Sequence, residues 1–330
     1  MPIRLSWVTF LLPCLLAWQS SPAAEGGTGS CGELSALQHE AALTPASRTV
    51  HAPPPSYAPS TAHASTPAPT GSEFARQIAG LDDDERESAI LEQALAGNFP
   101  DFLRHLEPVT LTSQDADGTP LTLTLCVAPD YLAVGSDSDY LFVPMRLKTA
   151  INVASHYGAV LPTRKIVDAI YAQARVHLRP QPLPAGATMR TTAYYWRHSE
   201  LIRQQRLSFD SPLGVLTAGD KKDLVLTNRS WAYLERVAIY GWHLPDGRPI
   251  QPLSTLHGAR YADYSHGVRL VGGVAYVNGA PAPLLKLLED PRLGSLLSYE
   301  GVIRRPAELL RQLAAAGYGS AAAAGARRKT

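Results

Sequence analysis

The chain has 330 residues, 45% of them hydrophobic and 18% charged, enough apolar content for one large globular domain or two small ones, which excludes wholesale disorder and a collagen-like chain. With 30 Lys and Arg against 29 Asp and Glu the formal charge is +1, so no long-range attraction recommends a nucleic acid or an anionic membrane as partner. Affinity must come from a shaped site.

The N-terminus reads as an export signal. Arg4 precedes an uncharged apolar stretch from Leu5 to Trp18, and Ser21-Pro22-Ala23 offers small residues to signal peptidase. That stretch reaches about 21 Å as a helix, short of the roughly 30 Å hydrocarbon core, and Pro13 interrupts it. Residues 1–23 are therefore expected to be a signal peptide, and the mature protein to be secreted or periplasmic with no integral membrane span. Pro13 directly before Cys14 argues against lipoprotein processing.

Cleavage leaves Cys31 and Cys126. In an oxidising compartment they can form one disulfide, or Cys31 can stay unpaired in its Gly-rich leader. Residues 24–73, rich in Pro, Ala, Ser and Thr, read as a disordered linker, because such a segment cannot bury enough apolar surface to offset its ordering entropy. Residues 74–318 read as a single domain and 319–330, Ala-rich, as a disordered tail. Gly27-Thr28-Gly29-Ser30-Cys31-Gly32 matches a GxGxxG pattern, but without a strand before it and a helix after it this is not a dinucleotide site.

Within the body, Asp82 and Glu85 form a capping box ahead of a helix with Ile90, Leu91, Ala94 and Leu95 on one face, stopped at Gly97. A hairpin follows, with Val109 and Leu111 alternating with threonines, Asp117-Gly118 turning, and Leu121, Leu123 and Leu125 returning, so that Cys126 shares the Thr face. Short strands are expected at Tyr131–Val134 and Tyr140–Val143. The Gly135–Asp139 loop between them lacks the acidic positions of a calcium hand and reads as a capped turn. Helices are expected around Leu147–Ala154, after a Thr163 cap, and over Ala193–Arg206. The C-terminal half is strand-rich, at Leu224–Thr227, Arg236–His243, Pro249–Leu253, Gly267–Val271 and Val274–Val277. Pro245-Asp246-Gly247 and Asn278-Gly279 are turns, and short Leu-rich helices open at Pro283 and Pro291. Helices and hairpins without regular β-α-β alternation predict an α+β fold: N-terminal helices and hairpin, then an antiparallel strand-rich half, in one mixed domain.

Chemistry-bearing residues concentrate between 194 and 269. Asp220-Lys221-Lys222-Asp223 precedes the apolar Leu224-Val225-Leu226, a polar loop at the mouth of a buried strand where pKa values can be moved; a solvated turn accounts for the same residue types. In His257-Gly258-Ala259-Arg260-Tyr261-Ala262-Asp263-Tyr264-Ser265-His266-Gly267, imidazole and carboxylate recur as they do in catalytic zinc sites, which use three protein ligands and an open position. His243, His257 and His266, with Asp263, are the candidate ligands and zinc the candidate cofactor. On a regular strand Asp263 and His266 would face apart, so they converge only through a turn. The ligand types resemble those of zinc D-alanyl-D-alanine peptidases, whose spacing and Glu-bearing second motif are absent, so no residue role follows from the resemblance.

Without metal, Asp220, Lys222, Asp263 and His266 are the candidate catalytic groups for acid/base hydrolysis, with Lys222 or Arg269 beside developing negative charge. Ser265 lies in no Gly-x-Ser-x-Gly elbow, and Cys126 is mid-strand, so nucleophilic serine or cysteine chemistry is disfavoured. Tyr194, Trp196, Trp242, Tyr261 and Arg269 are candidate substrate-binding residues, because flat rings stack on sugars and Arg bonds hydroxyls; core packing competes for Trp242. These residues lead to the expectation of an exported hydrolase of a cell-wall or polysaccharide polymer. The alternative is a non-catalytic glycan-binding protein.

Overall fold

The computed structural model describes residues 31–34, 67–115, 117–208 and 210–316. The signal-peptide and tail expectations fall outside these residues, as does the linker between 35 and 66. Helices α1 (Gly71–Gln77) and α2 (Asp83–Leu95) open the body. They lead to the hairpin β1 (Glu107–Gln114) and β2 (Pro120–Val127), then the hairpin β3 (Ala133–Ser136) and β4 (Asp139–Phe142). Helix α3 (Leu147–His156), β5 (Ala159–Val160), α4 (Arg164–Gln173), β6 (Val176–His177) and the long α5 (Thr192–Ser208) follow. The second half holds β7 (Thr217–Ala218), β8 (Lys222–Leu224), β9 (Ile239–His243), β10 (Pro249–Ser254), β11 (His266–Gly267), β12 (Val271–Val277) and β13 (Ala280–Pro283). Helices α6 (Leu284–Glu289), α7 (Gly294–Leu297) and α8 (Pro306–Ala316) close it.

The fold is α+β. In the main sheet the order is β1-β2-β12-β13, with β5 also paired to β12, so the N-terminal hairpin and a C-terminal strand share one layer. Leu121, Leu123 and Leu125 point into the core as their alternation predicts. A second sheet runs β10-β9-β8-β11, and its β8–β11 pair is parallel. The β6–β7 pair is parallel as well, and these two short pairs are exceptions among strand pairs that are otherwise antiparallel, as expected.

Three boundaries differ from the sequence reading. Strand Leu224–Thr227 moves earlier to β8, because Lys222–Leu224 pairs with β9 and its Lys222 and Asp223 also pair with β11. Arg236–His243 enters its sheet only at Ile239, and Gly267–Val271 splits as the chain leaves β11 and crosses to β12 in the other sheet. The body also begins before residue 74. Thr70 and Glu73 form a reciprocal capping box on α1, and Phe74 is buried.

Part of the supposed linker belongs to the fold. Cys31 is disulfide-bonded to Cys126, Leu34 is buried, and the Leu34 N–H donates to the Arg104 carbonyl at 2.7 Å. One glycine permits the closest contact at the second sheet. A Cβ on Gly267 would lie 2.4 Å from Tyr131 Cδ1, and that ring cannot retreat: its hydroxyl donates to Asp223 Oδ2 at 2.8 Å and the Arg269 guanidinium lies 4.2 Å from its centroid. Among the described residues no helix is long and apolar enough to cross a membrane.

Candidate functional site

The site forms where β8 and β11 run side by side. Their parallel register makes Lys222 and His266 partners, and the Lys222 N–H donates to the Ser265 carbonyl at 2.8 Å. Just upstream of β11 the chain makes the turn that the sequence reading required. The His266 N–H donates to the Asp263 carbonyl at 3.0 Å, while the Ser265 N–H and hydroxyl donate to Asp263 Oδ1 at 2.8 and 2.6 Å. This local side-chain bonding is what Asp and Ser favour in turns. It brings Asp263 and His266 to the same side.

Above this floor, His257 and Tyr261 stack with centroids 4.2 Å apart and planes within 9°. The His266 ring centroid is 6.1 Å from His257 and 5.7 Å from Tyr261. The Tyr261 hydroxyl donates to Asp263 Oδ2 at 2.9 Å. Lys222 Nζ sits 4.9 Å from the Trp242 ring centroid, and Arg190, from the loop before α5, lies 5.6 Å from the Tyr261 ring. His257, Tyr261, Lys222 and Arg190 are half-buried and form the mouth; Asp263, Ser265, His266 and Trp242 are buried beneath them.

The backbone at Trp242 is strained. It has φ +58° in a β-strand, following Gly241 at +109°, a region that costs a side-chain-bearing residue about 1–2 kcal/mol. The Trp242 N–H nevertheless finds the Lys221 carbonyl at 3.0 Å, and the indole packs edge-on to His198 and Tyr264.

Burial controls the protonation states. It pulls the His266 imidazole down to about 4, outweighing the opposing charge of Asp263, so the ring is neutral at neutral pH. His266 is only 1% exposed and neither ring nitrogen has a hydrogen-bond partner, a cost that structures rarely carry without a use. His257 is also lowered, first by burial and then by the Lys222 charge, against Asp263. For Asp263 burial acts upward, yet the His266 charge, the Ser265 bonds and the Lys222 charge together hold it below the usual carboxylate range. Burial and then the Asp263 charge push the Tyr261 hydroxyl up, so it stays a donor. Burial lowers the Lys222 ammonium against the pull of Asp263.

The structure thus brings together Lys222, Trp242, His257, Tyr261, Asp263 and His266. It separates the remaining expected residues. Asp220 lies deep on another side with Asp130, Lys221, Arg206 and Arg269 around it. Arg269 is a structural residue, donating to the Ala128 and Thr217 carbonyls at 2.9 and 2.8 Å. Tyr194 stands one ring further along, against Tyr264 at 5.7 Å, and Trp196 is half-buried under the Arg203 guanidinium at 4.7 Å.

The zinc triad does not assemble. His243 faces the opposite side of β9, with its Nε2 on Asp168 at 3.0 Å and its ring stacked on Tyr171. Among the described residues no three His, Cys, Asp or Glu side chains are grouped to hold a metal ion, and both Asp263 oxygens already accept from Ser265 and Tyr261. Sequence reasoning missed Arg190, whose place over Tyr261 comes from an ion pair with Asp83 at the start of α2 and leaves no local pattern. Comparison with protein-family models, with curated proteins and with solved structures gave no match, so these side chains alone carry the functional reading.

Proposed function

We propose that the protein is an exported hydrolase of a cell-envelope or extracellular polymer that works by acid/base chemistry at the His257 site. The observation that carries this reading is the buried, unbonded His266 imidazole beside an ionised Asp263, roofed by a half-buried imidazole and an ammonium group. His257, neutral and at the mouth, takes a proton from an attacking water. The Lys222 ammonium stabilises the negative charge that develops on an attacked carbonyl oxygen or on a departing glycosidic oxygen, and the His257 imidazolium returns its proton to the leaving group. Asp263 steadies that imidazolium, and Tyr261, bonded to Asp263 and stacked on His257, fixes both in place. His266 packs beneath them, its ring centroid 6.1 Å from His257 and 5.7 Å from Tyr261.

The Cys31–Cys126 disulfide supports export, because such bonds persist in oxidising compartments. A purely glycan-binding role loses the platform expected of it, since Trp242 is 5% exposed and Trp196 lies under Arg203.

Purified mature protein incubated with peptidoglycan sacculi and with neutral polysaccharides is expected to release soluble fragments. His257→Ala and Lys222→Ala should each cut the rate by about 10²–10⁴-fold with an unchanged circular dichroism spectrum. Because His257 must be neutral to act and burial lowers its pKa, the acid limb of the wild-type rate should lie below pH 6.5, and because Lys222 must be charged and burial lowers its pKa, the alkaline limb should lie below pH 10.5. Fragment release that survives both substitutions, or no release from any polymer, overturns the reading.

A further inference from the structure

Strand β9 separates two clusters. Trp242 belongs to the site above, whereas His243, one residue on, lies against α4 on the other face. There Asp168 Oδ1 accepts from both the His243 Nε2–H at 3.0 Å and the Tyr240 hydroxyl at 2.8 Å, and the Tyr299 hydroxyl bonds the same carboxylate. The Tyr171 ring stacks on His243 at 4.5 Å and meets His177 edge-on at 4.6 Å. These six side chains line a cleft of about 590 Å³ closed at one rim by the turn at 245–249. The volume falls within the roughly 300–1,000 Å³ of small-molecule sites.

The chemistry of the walls narrows the occupant. Asp168 and Asp246 repel an anion. A cationic ligand meets Arg164, which already lies 4.7 Å from the Tyr299 centroid and 5.7 Å from Tyr240, and Lys165, 5.4 Å from Tyr299. Among the described residues no Ser, Thr or Cys lines the cleft, so they offer it no aliphatic hydroxyl or thiol nucleophile. A neutral ring with an apolar face and outward hydroxyls satisfies what remains: aromatic faces to stack on and a carboxylate, held in place by three donors, to receive hydroxyl groups. Tyr299, 54% exposed, is the accessible stacking surface.

We propose that this cleft is a binding subsite for a neutral pyranose ring. It stands whether or not the His257 site is catalytic. For an enzyme acting on a polymer it would hold a second stretch of chain on the far side of β9.

The test is a titration of the purified protein with cellotetraose, chitotetraose and maltotetraose, followed by the aromatic ¹H–¹³C signals of its Tyr and His residues. Saturable shifts with at least one sugar are expected. Tyr299→Ala, which removes a half-exposed ring and spares the core, and Asp168→Asn should each weaken binding about tenfold or more, whereas Lys222→Ala on the opposite face should leave the affinity unchanged. Absence of saturable shifts with all three sugars overturns the proposal. So does binding that survives both Tyr299→Ala and Asp168→Asn, or binding that Lys222→Ala abolishes while Tyr299→Ala does not, which would place the sugar in the other site.

Discussion

Replacing Cys31 and Cys126 together by serine is expected to destabilise the protein by about 2–5 kcal/mol, toward the upper end because the bond closes a long loop. The two cysteines are 95 residues apart in sequence, and the entropy that a cross-link removes from the unfolded chain grows with loop length. Besides the disulfide, residues 31–34 are held by the buried Leu34 side chain, a bridge between Glu33 and His105, the Leu34 N–H on the Arg104 carbonyl and the Leu106 N–H on the Gly32 carbonyl at 3.2 Å. At about 2–4 °C per kcal/mol for a domain of this size, the melting temperature should fall by roughly 4–20 °C. Calorimetry of the double variant, and of the wild type with and without reductant, measures it. The reduced wild type should melt with the double variant, and a drop of under about 2 °C in both would show that the bond constrains little.

Asp220→Asn should raise stability at pH 8 and leave it nearly unchanged at pH 4. The Asp220 side chain is 0% exposed and neither carboxylate oxygen has a partner. Burial, and then the charge of Asp130, push its pKa up to about 7, against the pull of Lys221, Arg206 and Arg269. Its unfolded value is near 3.8. Between those two values the folded state keeps a proton that the unfolded state has released, so this group's contribution falls as pH rises from about 4 to about 7 and is level above. At about 1.4 kcal/mol per unit, the loss amounts to a few kcal/mol.

Asparagine keeps the shape and has no proton to lose. His266, lowered to about 4, gives the opposite slope between that value and 6.5, but it is common to both proteins and cancels in the difference. Urea midpoints at the two pH values test this. A variant less stable than wild type at pH 8 would mean that the surrounding cations more than offset the burial of an ionised Asp220.

Features set by a few adjacent residues were legible in the sequence. The Asp82–Glu85 capping box, the Asp117-Gly118 turn and the Asn278-Gly279 turn, where both residues have positive φ, all appear where local chemistry demanded them. The Asp263–His266 turn entered the sequence reading only as a condition for convergence; it forms because Ser265 bonds Asp263 within two residues.

Long-range pairing was not legible. Lys222 reaches His266 only through the parallel β8–β11 register, and no spacing rule connects them. The Asp220 side chain is turned inward after Gly219, which at φ +108° packs against the Leu178 carbonyl, and residue types alone did not separate this buried loop from a solvated turn. The neighbours Trp242 and His243 serve different faces of one strand, which dispersed the supposed metal ligands. The Thr70–Glu73 box on α1 was present but masked by the Pro-rich composition around it.

The stretch 35–66 is bracketed by two anchored ends: Leu34 held in the body behind a covalent staple, and Thr70 capping α1. A protease that cuts one peptide bond anywhere between them therefore severs the backbone without releasing a piece. Such a nicked molecule runs at full mass in electrophoresis without thiol and splits in two once thiol is added, so proteolytic maturation in this region would be invisible unless the gel is reducing.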